Sequence, residues 1–282
     1  MKNKWLAAPY VVWMAIFVVA PLILVVVFAF TGQDGSVTLD NFSNMGTYVP
    51  AFWHSFGLAI AATLICILIG YPLAYFLSRE KLMVRKVAMM LIMLPMWMNF
   101  LLRTYAWMSI LDDNGLINQF LSSIGFFNVW NAIFGTNIQF FHMINTQGAI
   151  VLGMVYNFLP FMVLPIFSVI DKIDPKVIEA AQDLGASSSM VFRKVIFPLS
   201  LPGVLSGVTM VFIPSVSTFA LSRLLGGGKT LLLGDLIEMQ FLGNAYNPHL
   251  GSAIALVMMV IVLVMMAIMN RFGEGEEGVA VL

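Results

Sequence analysis

The sequence predicts an all-α, polytopic membrane protein with about six transmembrane helices and one polar loop set between apolar blocks. Three observations carry that prediction. Of 282 residues, 60% are hydrophobic and only 10% are charged. The mean hydropathy of +0.94 means more apolar surface than a water-facing globule can bury. The apolar residues also fall in blocks of about 20, the length at which a helix rising ~1.5 Å per residue crosses a ~30 Å hydrocarbon core.

The first block, Tyr10 to Phe30, is too long for the core of a signal peptide, and no small-residue cleavage site follows it, so it reads as a retained anchor. Five further spans follow: Phe56 to Leu77, Val87 to Met108, Thr146 to Ile170, Leu199 to Leu221, and Leu250 to Asn270. Lysine and arginine are unevenly shared between the connections. Lys2, Lys4, Arg79, Lys81, Arg85, Lys86, Lys172, Lys176, Arg193, Lys194 and Arg271 fall on one side, against Arg103, Arg223 and Lys229 on the other. The positive-inside rule makes the first side cytoplasmic, with both termini there. The outer connections are then Thr31 to Ser55, Ser109 to Asn145 (with room for a short surface helix) and Ser222 to His249. No repeat and no polar linker divides the chain, which reads as one membrane domain over residues 1–282.

Composition excludes several functions. A formal net charge of zero offers no basic face for nucleic acid. The single cysteine, Cys66, lies in an apolar run and has no internal partner for a disulfide. His54, His142 and His249 fall in separate connections without ligand spacing, so no metal site is expected. Gly226 to Thr230, GGGKT, looks like the end of a phosphate-binding loop. The required first glycine is replaced by Arg223, so no nucleotide cofactor is expected on this chain. No nucleophile is paired with a base, so no catalytic residue is expected.

The exception to the apolar pattern is residues 174–198. Asp174 suits an N-cap, Pro175 the first helical position, and Val177, Ala181 and Leu184 recur at helical spacing until Gly185 permits a stop. Ser187 can cap a second short helix, with Val191 and Val195 on one face, running until Pro198 leads into the next span. Small residues at Ala180, Ala181, Gly185 and Ala186 allow another backbone to approach closely. Local physics alone fits two readings equally: a docking face for another chain, or a helix pair lying on lipid headgroups.

The spacing Glu179, Ala180, Ala181, three residues, Gly185, nine residues, then Val195-Ile196-Phe197-Pro198 resembles the EAA loop of binding-protein-dependent ABC importer permeases. Val195 and Phe197 depart conservatively from the usual Ile and Leu. The resemblance covers the whole chain: Leu94 to Trp107, Gly153 to Asp174 and Leu224 to Phe241 look like blocks of spermidine/putrescine permeases of the PotB type. It implies that Glu179, Ala180, Ala181 and Gly185 contact an ABC ATPase dimer that supplies ATP hydrolysis. It also implies pairing with a second homologous permease and delivery of cargo by an extracytoplasmic binding protein.

A cationic cargo is also suggested by acids in the outer connections, Asp34, Asp40, Asp112, Asp113, Asp235 and Glu238, against Arg223 and Lys229. Depletion of outer lysine and arginine by the positive-inside rule gives the same imbalance. Trp97 lies between Pro95 and Asn99, where a broken helix would open backbone and an aromatic face to a cavity. Trp97, Asn99, Tyr105, Asp113 and Glu238 are the candidate path residues, with interfacial anchoring as the alternative for the aromatics. Arg103 needs a partner, Asp112 or Asp113, or must reach the interface. The sequence thus predicts a polyamine-importing permease subunit in the inner membrane. Its alternatives are an importer permease for another small solute such as sulfate or ferric ion, and an ion-coupled secondary carrier.

Overall fold

The computed structural model describes residues 8–243 and 245–274. Among them the chain is helical apart from its turns and one isolated bridge between Thr31 and Val37. Lys2 and Lys4 lie outside the described residues, as do the termini whose side of the membrane was predicted.

Helix α1 is Pro9–Ala29. The short α2, Asp40–Asn44, leads through a tight turn into α3, Val49–Arg79. After it come α4 (Leu82–Trp97), α5 (Phe100–Leu111), α6 (Leu116–Ser123) and α7 (Phe126–Phe134). Next are α8 (Gln147–Ile170), α9 (Pro175–Asp183) and α10, which runs over Ser188–Val216. The chain ends in α11 (Ala220–Leu225), α12 (Leu233–Leu242) and α13 (Pro248–Glu274). Five helical stretches are long and apolar enough to cross a membrane, and the bent pair beginning with α4 makes a sixth.

The centre is α8 packed along α3 and α10. Small residues bring these backbones together: a Cβ on Gly203 of α10 would sit 2.9 Å from the carbonyl oxygen of Pro165 in α8. This is how helices associate where lipid removes the hydrophobic drive between them. Among the described residues α1 packs chiefly on α13, and most of its surface is open. Arg79, Ile170 and Val191 mark one end of the bundle, the joint end; Val49, Gln147 and Val216 mark the far end.

Two predicted spans are corrected. Val87 to Met108 is not one straight helix, because α4 and the helices after Met98 meet at 94°. The break is set by Asn99, whose side-chain oxygen accepts from the backbone N–H groups of Leu101 and Leu102 at 2.8 and 3.3 Å. An N-cap of that strength starts a new helix, and Pro95 has already removed a ladder donor from the end of α4. The predicted Leu199 to Leu221 span ends early, at Val216. There Gly234, at the start of α12, passes so close that a Cβ on it would lie 2.5 Å from the carbonyls of Ser217 and Thr218. The predicted second short helix after Ser187 also differs: it does not stop at Pro198 but flows through a π-turn at Phe192–Ile196 into α10. The single surface helix expected in residues 109–145 is two, α6 and α7.

Candidate functional site

The joint end is assembled from residues 171–198 folded against α3 and α8. Asp174 caps α9 by accepting from the Lys176 N–H at 2.9 Å, with Pro175 at the first helical position. The helix stops where the Ala186 N–H reaches the Ala181 carbonyl at 3.0 Å and the Gly185 N–H reaches Gln182 at 2.8 Å. That pair of bonds is a Schellman stop. It requires Gly185 at φ +83°, a left-handed conformation that a side chain disfavours. Ser187 then caps α10, accepting from the Met190 N–H at 3.4 Å.

The two faces of this elbow differ. Ile178, Ala181 and Ala186 pack inward on a cluster that includes Tyr71, Ile166, Ile170, Val191 and Ile196. Glu179, Ala180 and Val177 face outward, and Leu184 is 90% exposed at the tip. The predicted contact residues Glu179, Ala180 and Gly185 therefore share an exposed surface with apolar Val177, Leu184 and Met190. Ala181 is the exception, because it is half-buried and serves the inward face.

Side chains that the local pattern does not reveal clamp the elbow to the bundle. The Tyr71 hydroxyl lies 2.8 Å from the Ser200 hydroxyl, and Tyr71 and Tyr75 meet Phe192 edge-on at 6.0 and 5.1 Å. Arg85, near the start of α4, pairs with Asp171 at the end of α8 and donates to the backbone of Ser78 and Glu80. The elbow thus shares one packed cluster with α3, α8 and α10, and the Arg85–Asp171 pair ties α4 to the turn that precedes α9. Tyr71 and Tyr75, four apart on α3, are the one sequence signal that would have found part of this clamp.

The candidate path residues are not gathered together. Trp97 is 75% exposed at the end of α4, Asn99 is the cap of α5, and Tyr105 lies exposed on α5. Asp113 meets His142 at 2.8 Å and borders a cavity of about 700 Å³ beside α6 and α7 that contains none of the other four. Glu238 pairs with Arg223, which also lies 3.4 Å from Asp235. Asp235 is buried, accepts from the Ser222 hydroxyl and the Leu232 N–H, and is pushed above the ordinary carboxylate range by loss of solvent. Two of the outer acids, Asp235 and Glu238, are thus gathered around Arg223.

The expected pairing of Arg103 with Asp112 or Asp113 is not made. It is only 9% exposed, and its Nε and Nη1 have no hydrogen-bond partner among the described residues. Asp112 instead accepts from the Asn114 N–H, and Asp113 is occupied by His142.

An apolar bundle that cannot live in water, carrying at one end an exposed amphipathic elbow gripped from within, defines a multi-span membrane protein. The chain belongs to the binding-protein-dependent transport system inner membrane components, whose family model matches residues 1–275. It is 35% identical over 267 residues to the spermidine/putrescine transport system permease protein PotB of Haemophilus influenzae, across 92% of this chain and 90% of that one. The protein of the same description from Escherichia coli K12 is 34% identical across 92% and 93%. Its fold is shared with a chain of a bacterial ABC transporter involved in the import of the acidic polysaccharide alginate (TM-score 0.76, 18% identity, 98% and 97% covered). The all-helical fold and the family read from Glu179 to Pro198 are both borne out.

Proposed function

We propose that this permease carries polyamines of the spermidine and putrescine type inward by alternating access, driven by ATP hydrolysis on a separate ABC ATPase dimer. The observation that carries the reading is the elbow: a rigidly capped, outward-facing helix whose inner side is packed on the spans. ATP-driven closure of a partner gripping α9 would move α3, α4, α8 and α10 together. On this reading the joint end is cytoplasmic, in keeping with Arg79, Lys81, Arg85, Lys86, Lys172 and Lys176 around it. The far end receives an extracytoplasmic binding protein, and a second homologous permease completes the path.

The cargo class rests on the similarity to the two PotB proteins. A site built jointly with a second permease also accounts for Trp97, Asn99, Tyr105, Asp113 and Glu238 lying apart on this chain. The test is uptake of labelled spermidine and putrescine into proteoliposomes holding the permease pair, ATPase and binding protein. Uptake that requires internal ATP and falls with Glu179→Ala supports the proposal. Uptake that persists without the ATPase, or transport of sulfate or ferric ion with no polyamine transport, refutes it.

A further inference from the structure

At the joint end a groove of about 310 Å³ opens between α4 and α8, lined by Leu82, Arg85, Lys86, Met89, Phe167 and Asp171. That size is at the lower bound of small-ligand sites. Its walls are amphiphilic. Leu82, Met89 and Phe167 form the apolar part, and the polar part is two cations and one carboxylate. Arg85 and Asp171 neutralise each other. Lys86 is exposed and has no salt bridge among the described residues, so the groove carries one uncompensated positive charge. Around it, Leu82, Met83 and Val87 turn apolar side chains outward. The first turns of α4 thus present hydrocarbon-seeking and cationic groups at one level, as at the boundary between acyl chains and headgroups.

We propose that this groove binds an anionic phospholipid, its phosphate on Lys86 and the edge of Arg85 and the upper part of one acyl chain along Met89 and Phe167. The required ligand chemistry is a phosphate monoanion joined to an apolar tail. A free phosphate would satisfy the lysine and leave the apolar wall uncovered, and a zwitterionic lipid would bring its own cation against Lys86. The site has a consequence for the joint, because Arg85 is shared. It also lines a second cavity of about 310 Å³ with Tyr75, Pro175 and Ile178, under the elbow. A phosphate drawing on Arg85 competes with Asp171, three residues before the cap of α9.

Native mass spectrometry of the full chain purified in detergent tests this, with phosphatidylglycerol, phosphatidylcholine and inorganic phosphate as separate probes. Phosphatidylglycerol should be retained over phosphatidylcholine, Lys86→Gln should weaken it roughly five-fold, and Lys86→Arg should restore it. Lys176→Gln, on the exposed elbow, should leave it unchanged. Equal retention of both lipids overturns the site, as does an equal loss from Lys86→Gln and Lys176→Gln. Retention of inorganic phosphate with no preference for the lipid assigns the groove to a free anion and overturns the lipid.

Discussion

At the joint end the groups that hold the elbow meet in pairs: Arg85 with Asp171, Tyr71 with Ser200, Asp174 and Ser187 with the backbone they cap. On α5, by contrast, a buried guanidinium keeps two nitrogens without partners among the described residues, and the neighbouring candidate path residues point to different places. Both regions belong to one bundle, so the difference is not one of composition. On the proposed reading, the joint end is a transmission element that holds one shape whichever way the transporter faces, so its clamp can be closed within the chain. A path that opens and closes between two chains, as proposed, cannot close all of its polar groups against itself.

The contrast breaks most readily where α8 and α10 touch. Gly203→Leu puts a side chain where a Cβ would already lie 2.9 Å from a backbone oxygen, and overpacking of that kind costs ~1–3 kcal/mol. Thermal unfolding of the purified chain should show a lower midpoint. Gly148→Ala, whose Cβ would meet only the Thr146 hydroxyl at 3.7 Å, should leave it unchanged. Gly185→Val comes next. Forcing a branched residue to φ +83° costs about 2 kcal/mol, and it falls on the elbow alone. Membrane insertion and the unfolding midpoint of the bundle should be nearly normal, while uptake coupled to ATP drops at least ten-fold. Loss of insertion instead would mean that the elbow is part of the folding core.

Arg103→Met sharpens the other side of the contrast. A buried donor without a partner costs ~1–3 kcal/mol, so replacing the guanidinium with a methionine of similar length should raise the unfolding midpoint of the isolated chain. A lower midpoint would show that Arg103 is paired, and the difference between the two regions would vanish. The cation in a path read as polyamine-carrying would then be a structural strut.

How much of this was legible in the letters follows from distance along the chain. Asp174, Pro175, Gly185 and Ser187 act on atoms two to five residues away, so their roles are written in local order and appear as read. The Asn99 break is half legible: Pro95 points to a broken helix, but the sequence reads Asn99, the capping side chain that fixes the 94° bend, as a path residue. The clamp was not legible, because Arg85 and Asp171 are 86 positions apart and Tyr71 and Ser200 are 129 apart. No periodicity within one helix encodes a contact between two. The expected pairing of Arg103 with Asp112 or Asp113 fails for the same reason. Asp112 and Asp113 are near it in sequence, but the turn after Leu111 commits one to Asn114 and the other to His142.

The smallest predicted effect tests the clamp itself. The Ser200 hydroxyl has a single proton and the Phe197 carbonyl accepts it at 2.8 Å; in that arrangement the tyrosine donates in the 2.8 Å contact between Tyr71 and Ser200. Tyr71→Phe therefore removes a donor and leaves Ser200 with its own bond intact. The cost should be near the ~0.5–1 kcal/mol lower end for a hydrogen bond. Ser200→Ala is the harsher change, since it strands the Tyr71 hydroxyl without that acceptor, and should cost about 1 kcal/mol more. The double variant should be no worse than Ser200→Ala alone, because the stranded donor is gone. Unfolding midpoints of the three variants give the coupling directly. Additive costs would mean that the hydroxyls do not hold α3 to the start of α10, leaving the aromatic contacts with Phe192 and Phe197 as the grip.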